Sequence, residues 1–217
     1  MDIKKAADYI ESLYGEKGLA QRKYIKDTKM KHFAPVVDDD VARMLQVLIM
    51  ITKPKKILEI GTSIGFSTVS MAHAMNSYGG KIVTIEINAE MAGQAVENFK
   101  REGVDEKIEV KIGDARTIIS GMNDEFDLIF QDVGDKNLYS EMFDDYDRLL
   151  KKGGILLAED TLFPADLDSE SGNWTQMCKS LDVFNKKIAD SPQFESTLLP
   201  IGDGLTVAVK IKRKGEL

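Results

Sequence analysis

A chain of 217 residues is long enough to bury one substantial core and suits a single domain spanning 1–217. Its 43% hydrophobic and 30% charged residues are ordinary for a globular protein, and no apolar stretch approaches the ~20 residues that a membrane helix needs. The net charge of −7 argues against broad nucleic-acid binding; a lone cysteine, Cys178, permits no internal disulfide and fits a reducing cytoplasm.

The opening, Met1-Asp2-Ile3-Lys4-Lys5, has no secretory apolar core, and residues up to about 35 read as a helical extension. Residues 1–31 hold eight Lys/Arg against five Asp/Glu, whereas 32–209 hold 17 basic against 30 acidic. The basic run Lys17 to Lys31 reads as a solvated helix face, with contact to a structured RNA as the alternative. Asp38-Asp39-Asp40 then supplies N-cap candidates for a helix with Val41, Met44, Leu45, Val47, Leu48 and Ile51 at helical spacing, stopped by Pro54.

From there strands are predicted at 56–60, 81–86, 107–112, 126–132 and 154–159, and helices at about 66–76, 88–102, 114–121 and 138–150. Such alternation implies right-handed crossovers and a parallel sheet covered on both faces. Phe194 to Leu199 and Leu205 to Lys212 are strand-like, and Pro200-Ile201-Gly202-Asp203-Gly204 between them favours a hairpin, so an antiparallel strand closes the sheet. Residues 161–174 read as a loop over the sheet's carboxyl edge, where ligands of open parallel sheets bind.

That edge carries the chemistry. The first strand ends in Glu59-Ile60-Gly61-Thr62-Ser63-Ile64-Gly65-Phe66-Ser67, a glycine turn into a helix, and Glu86 ends the second strand 25 positions after Gly61. An acidic residue there accepts hydrogen bonds from ribose hydroxyls. Ser63 stands where a dinucleotide fingerprint has the glycine that admits a pyrophosphate. Glu59 is unfavourable near a polyanion but compatible with a sulfonium, so the loop favours S-adenosylmethionine over NAD. Asp114 after the third strand is placed to hold the adenine amino group.

A second group, Asp132, Glu159 and Asp160, comes from the ends of strands four and five. Three converging carboxylates need a positive partner, and their oxygens suit a hard divalent cation: Mg²⁺ first, with Mn²⁺ or Ca²⁺ as alternatives. His32 and His73 are too few and too separate for a zinc set. Cys178 reads as a small packed residue, and Phe163 and Trp174 as either an aromatic wall for an acceptor or core.

Together these stretches, with Ile57-Leu58, Ile85-Glu86, Gly113-Asp114-Ala115, Phe126 to Asp132 and Leu199 to Leu205, resemble the cation-dependent class I O-methyltransferases, which include catechol and caffeoyl-coenzyme A O-methyltransferases. The resemblance implies a Rossmann-like α/β fold with a mostly parallel seven-stranded sheet, an antiparallel last strand and helices on both faces. It implies that Gly61, Ser67, Glu86 and Asp114 contact S-adenosylmethionine, with the backbone near Val37 over its carboxylate and Glu59 and Asp132 beside it. Asp132, Glu159 and Asp160 take the metal positions. Two departures stand out: the family usually has Asp-Asn at Glu159-Asp160, and its lysine three, not four, residues after the metal-binding aspartate.

The expected activity is metal-assisted O-methylation of a small catechol-like or phenolic acceptor, with Lys136 and Asp132 catalytic and Lys136 the general base. The alternatives are a hydroxylated nucleoside in transfer RNA as acceptor, or a cofactor-binding protein with little activity. A cytoplasmic homodimer, without membrane attachment, is expected.

Overall fold

The computed structural model describes residues 3–15, 20–166, 172–213 and 215–216. The N-terminal region forms α1 (Ile3–Tyr14) and α2 (Gln21–Asp27), and α3 (Asp39–Thr52) follows, ending at Lys53 in the left-handed conformation before Pro54. Asp38 holds the N-cap position of α3 in extended backbone, but its carboxylate makes no capping bond. The buried stripe Val41, Ala42, Leu45 and Ile49 lays α3 against the rest of the molecule.

The alternating region gives β1 (Lys56–Ile60), α4 (Phe66–Ala74), β2 (Lys81–Glu86), α5 (Ala89–Arg101), β3 (Ile108–Ile112), α6 (Ala115–Ser120) and β4 (Phe126–Gln131). The helix expected over 138–150 is two, α7 (Asn137–Glu141) and α8 (Phe143–Leu149), broken at Met142 with no Pro or Gly to mark the place. β5 runs Leu150–Ala158, earlier than expected, because an irregularity around Gly153-Gly154 shifts its register against β4. After α9 (Asn173–Ala189), β6 (Phe194–Leu199) and β7 (Leu205–Lys210) form the expected hairpin.

The seven strands lie in the order β3-β2-β1-β4-β5-β7-β6. β7 is antiparallel to both neighbours and sits between β5 and β6, so β6, not the last strand, takes the edge. Side chains alternate across the sheet. Leu58 and Ile60 of β1 enter one core with Ile129, Leu156, Tyr139 and Phe184; Ile57 enters the other with Leu45, Val69, Leu128 and Leu157. The strand order reverses between β1 and β4, where the loops diverge and leave a crevice.

Among the described residues, no helix is long and apolar enough to cross a membrane. The terminal residues of the predicted 1–217 domain, Lys17, and 167–171 of the predicted loop lie outside the described residues.

Candidate functional site

A cavity of about 800 Å³ opens at that crevice. Its floor is the close approach of the β1 and β4 ends. Gly61 (φ +96) packs on the Asp132 backbone carbonyl, which any Cβ at 61 would strike, so a glycine is required sterically as well as conformationally. Gly65 (φ +88) faces the Phe99 ring in the same way, which lets α4 start beneath the loop.

Glu86 is buried and clamps this loop. Its carboxylate accepts the N–H groups of Thr62 (3.2 Å), Ser63 (2.8 Å) and Asn88 (2.9 Å). A carboxylate offers about four acceptor directions, so roughly one remains toward the cavity that Glu86 lines. Asp114 caps α6 by accepting the Arg116 N–H (2.8 Å) and also lines the cavity.

Glu59 does not line the cavity. It is fully buried beneath the loop, where Ser67, Thr68 and Thr84 donate hydroxyl hydrogen bonds of 2.5–2.6 Å. Burial pushes its carboxyl up to about 7, against the pull of those hydroxyls. Its place is that of a support: it holds Ser67, which does line the cavity, and the start of α4. Val37 is buried at the wall, and the Gln21 side chain donates to its carbonyl and to that of Val36, both at 3.1 Å.

At the other end, carboxylate oxygens of Asp132, Glu159 and Asp160 lie within 4.8 Å of one another. Oxygens around one Mg²⁺ or Ca²⁺ sit about 4–5 Å apart at most, so the donor set fits a hard divalent ion. Without one the trio is electrostatically frustrated. Burial, then the Asp160 charge, pushes Asp132 up to about 7; burial and Asp160 push Glu159 up further.

Lys136 supplies the internal cation. It is 3% exposed, ion-paired to Asp160, and donates to the Val133 carbonyl (2.6 Å) and the Tyr139 hydroxyl (3.4 Å). Its ammonium also lies over the rings of Tyr139 (5.1 Å) and Phe163 (5.8 Å). The extra residue before Lys136 therefore does not remove it from the site. It brings the lysine onto Asp160.

Phe163 lines the cavity, while Trp174 stacks behind it (4.6 Å between ring centroids) and does not line it. Buried Cys178 donates to the Phe163 carbonyl, a packing role. Gln21, Ile25, Phe33, Ile87 and Met91 also form the wall and were not foreseen. A signal existed for α2: Tyr24 and Ile25 interrupt a basic run. Tyr24 is buried, with its hydroxyl on the Ile64 carbonyl (2.9 Å), and this docks α2 on the loop. Asp203 in the β6–β7 hairpin joins the wall because β7 lies beside β5.

The sequence pattern of the O-methyltransferase family matches residues 12–211. The chain is 30% identical over 184 residues to a caffeoyl-CoA O-methyltransferase of Medicago sativa, covering 80% of this chain and 74% of that one. It is 29% identical over 180 residues to tricin synthase 2 of Oryza sativa subsp. japonica, covering 78% of this chain but only 61% of the relative's length. In structure it is similar to an O-methyltransferase from Bacillus cereus solved in complex with SAH. That match has a TM-score of 0.79 at 24% identity, over 94% of this chain and 96% of that one.

Proposed function

The chain belongs to the O-methyltransferase family, and from that premise we propose that it transfers a methyl group from S-adenosylmethionine to a hydroxyl of a small catechol-like or phenolic acceptor, assisted by a divalent cation. The observation that carries this reading is the single cavity holding the Gly61–Glu86 cradle at one end and the Asp132–Glu159–Asp160 trio with Lys136 at the other. Asp132, Glu159 and Asp160 would hold the ion. The chemistry supplied by the bound groups is a transferable methyl on a sulfonium and, from the ion, polarisation of adjacent hydroxyl oxygens. The protein's own part is to orient acceptor and donor, worth ~7–11 kcal/mol in favourable cases, and to take the hydroxyl proton at Lys136 Nζ after that ammonium has first released its own proton to solvent.

A methyl-transfer screen with labelled cofactor against catechols, simple phenols and total RNA tests the reading. Incorporation into a catechol, lost in chelator, is expected. The RNA alternative draws on α2, whose exposed Arg22, Lys23 and Lys26 lie behind the cavity wall formed by Gln21 and Ile25. Label in RNA alone would select it.

Glu86→Ala should weaken S-adenosylmethionine by about ten- to a hundredfold, the scale of a charge-assisted hydrogen bond of roughly 1.5–3 kcal/mol. It should also lower the melting temperature, because the Thr62 and Ser63 amides lose their acceptor. Calorimetry and thermal melts read the two effects separately. Undiminished cofactor affinity would take Glu86 out of the site.

We also propose a homodimer. Ile10 and Leu13 on α1 and Val47, Met50 and Ile51 on α3 are exposed, with Ile51 at 71%. Arg43 of α3 lies over the Tyr14 ring of α1 (5.4 Å), so the two helices that carry these exposed apolar side chains touch at this point. Light scattering at micromolar concentration should give twice the chain mass; a monomer counts against the proposal.

A further inference from the structure

The cofactor end of the cavity is walled from opposite faces of the sheet. α5 packs through Ala95 and Phe99 into the core that holds Ile57, whereas α6 packs through Ala115 and Ile119 into the core that holds Leu58. From the α5 side the wall receives Met91 and Ile87, the latter 71% exposed. From the α6 side it receives Asp114, Ala115 and Arg116. Ile87 directly follows Glu86, the residue read as holding the ribose, so the base attached to that ribose falls between these two walls.

Arg116 is exposed yet fixed. Its Nε donates to Glu141 Oε2 (2.7 Å) and its Nη2 to Asp135 Oδ2 (2.8 Å), while Nη1 lies 3.9 Å from Asp114 Oδ2. A guanidinium is planar and donates only in its plane. Carboxylates from two separate segments therefore clamp it as a flat plate on the cavity wall. Asp135 stands in the turn that the extra residue lengthens, directly before Lys136. The charge of the plate is spent as well. Three carboxylates around one guanidinium oppose a phosphate, and the group suits a flat, uncharged, electron-rich ring instead. A purine is such a ring, and guanidinium planes stack on bases.

We propose that Arg116 is a specificity-determining residue of the cofactor site: its guanidinium face stacks on the purine, Ile87 covers the opposite face of the ring, and Asp135 and Glu141 hold the plate in position. The proposal rests on the methyl-transfer reading above, which supplies the cofactor, and adds the side chain that recognises its base.

The test is one of binding, on the full chain. Calorimetry compares S-adenosylhomocysteine with S-ribosylhomocysteine, the same molecule without its base, and ligand-observed NMR follows adenosine, which carries the base without the amino acid. Arg116→Ala should weaken S-adenosylhomocysteine and adenosine by a common factor of about three- to thirtyfold, the range of a cation stacked on a ring. S-ribosylhomocysteine should bind as before. Arg116→Lys keeps the charge without the plane and should recover little of the loss. Asp135→Asn with Glu141→Gln keeps the plane without its clamp and should show part of the same base-dependent loss. Because Arg116 is exposed, an unchanged melting temperature is expected in each case and reports that the fold is retained. Undiminished binding of S-adenosylhomocysteine or adenosine to Arg116→Ala, an equal loss for S-ribosylhomocysteine, or full recovery in Arg116→Lys overturns the inference and leaves the methyl-transfer reading standing. A parent chain that does not bind S-adenosylhomocysteine overturns both.

Discussion

Asp132→Asn should lower methyl transfer by roughly a thousandfold, about 4 kcal/mol of lost transition-state stabilisation, while S-adenosylmethionine still binds. The side chain belongs to the carboxylate trio; its backbone carbonyl, which packs on Gly61, is untouched by the substitution. Calorimetric Mg²⁺ or Mn²⁺ binding should weaken in parallel, and excess chelator should reproduce the loss in the parent.

The same variant should be the more stable protein when no metal is present. Asp132 is raised from an unfolded value of 3.8 to about 7 in the fold, so the native state holds more protons than the unfolded state between those values. Stability therefore falls as pH rises across that window, and the full penalty is present above it. Asp132→Asn removes the penalty. In chelator it should raise the melting temperature at pH 8 and change it little at pH 4. Parental transfer rates in the variant, or in chelator, would sink the metal-assisted mechanism and leave a metal-free transferase on the same fold.

The sheet was legible because its signals are local. Five short apolar runs bounded by Gly, Pro or acidic residues gave β1 to β5, and the Asp203-Gly204 turn gave the hairpin. What local signals do not carry is which strand a hairpin pairs with. The insertion of β7 between β5 and β6 is a tertiary choice, and it is what brings Asp203 to the site. The carboxyl-edge rule collected Gly61, Glu86, Asp114, Asp132, Glu159 and Asp160 from strand ends alone, and the fold places them around one cavity. The rule failed for Glu59, one residue short of the strand's last position. Alternation turns it beneath the loop rather than into the cavity, onto Ser67, Thr68 and Thr84. The α2 wall was missed for a related reason. A seven-residue helix with three basic side chains shows no clear periodicity, and only Tyr24 and Ile25 reveal its inner face.

Lys136 poses the sharpest remaining question, because its geometry serves two roles at once. It is 3% exposed and paired with Asp160, which is itself one of the three candidate metal ligands. An ion on the trio competes with the ammonium for that carboxylate, so Lys136→Met should tighten divalent binding, by about tenfold if one unit charge a few ångströms away is removed. Transfer should fall by roughly a hundredfold or more, the usual yield of a positioned proton acceptor. Breaking a buried pair can cost about 3–5 kcal/mol, so the single variant alone would confound lost chemistry with a lost fold. Lys136→Met combined with Asp160→Asn separates them, because it removes the ion pair as a whole, and with it the Asp160 charge that pushes Asp132 and Glu159 up, and should recover much of the melting temperature. If the lysine serves only as counter-ion to Asp160, the double variant regains transfer. If Lys136 accepts the acceptor's proton, the double variant stays inactive, and the deficit is deepest below the acceptor's own pKa, where the hydroxyl still carries a proton to be removed.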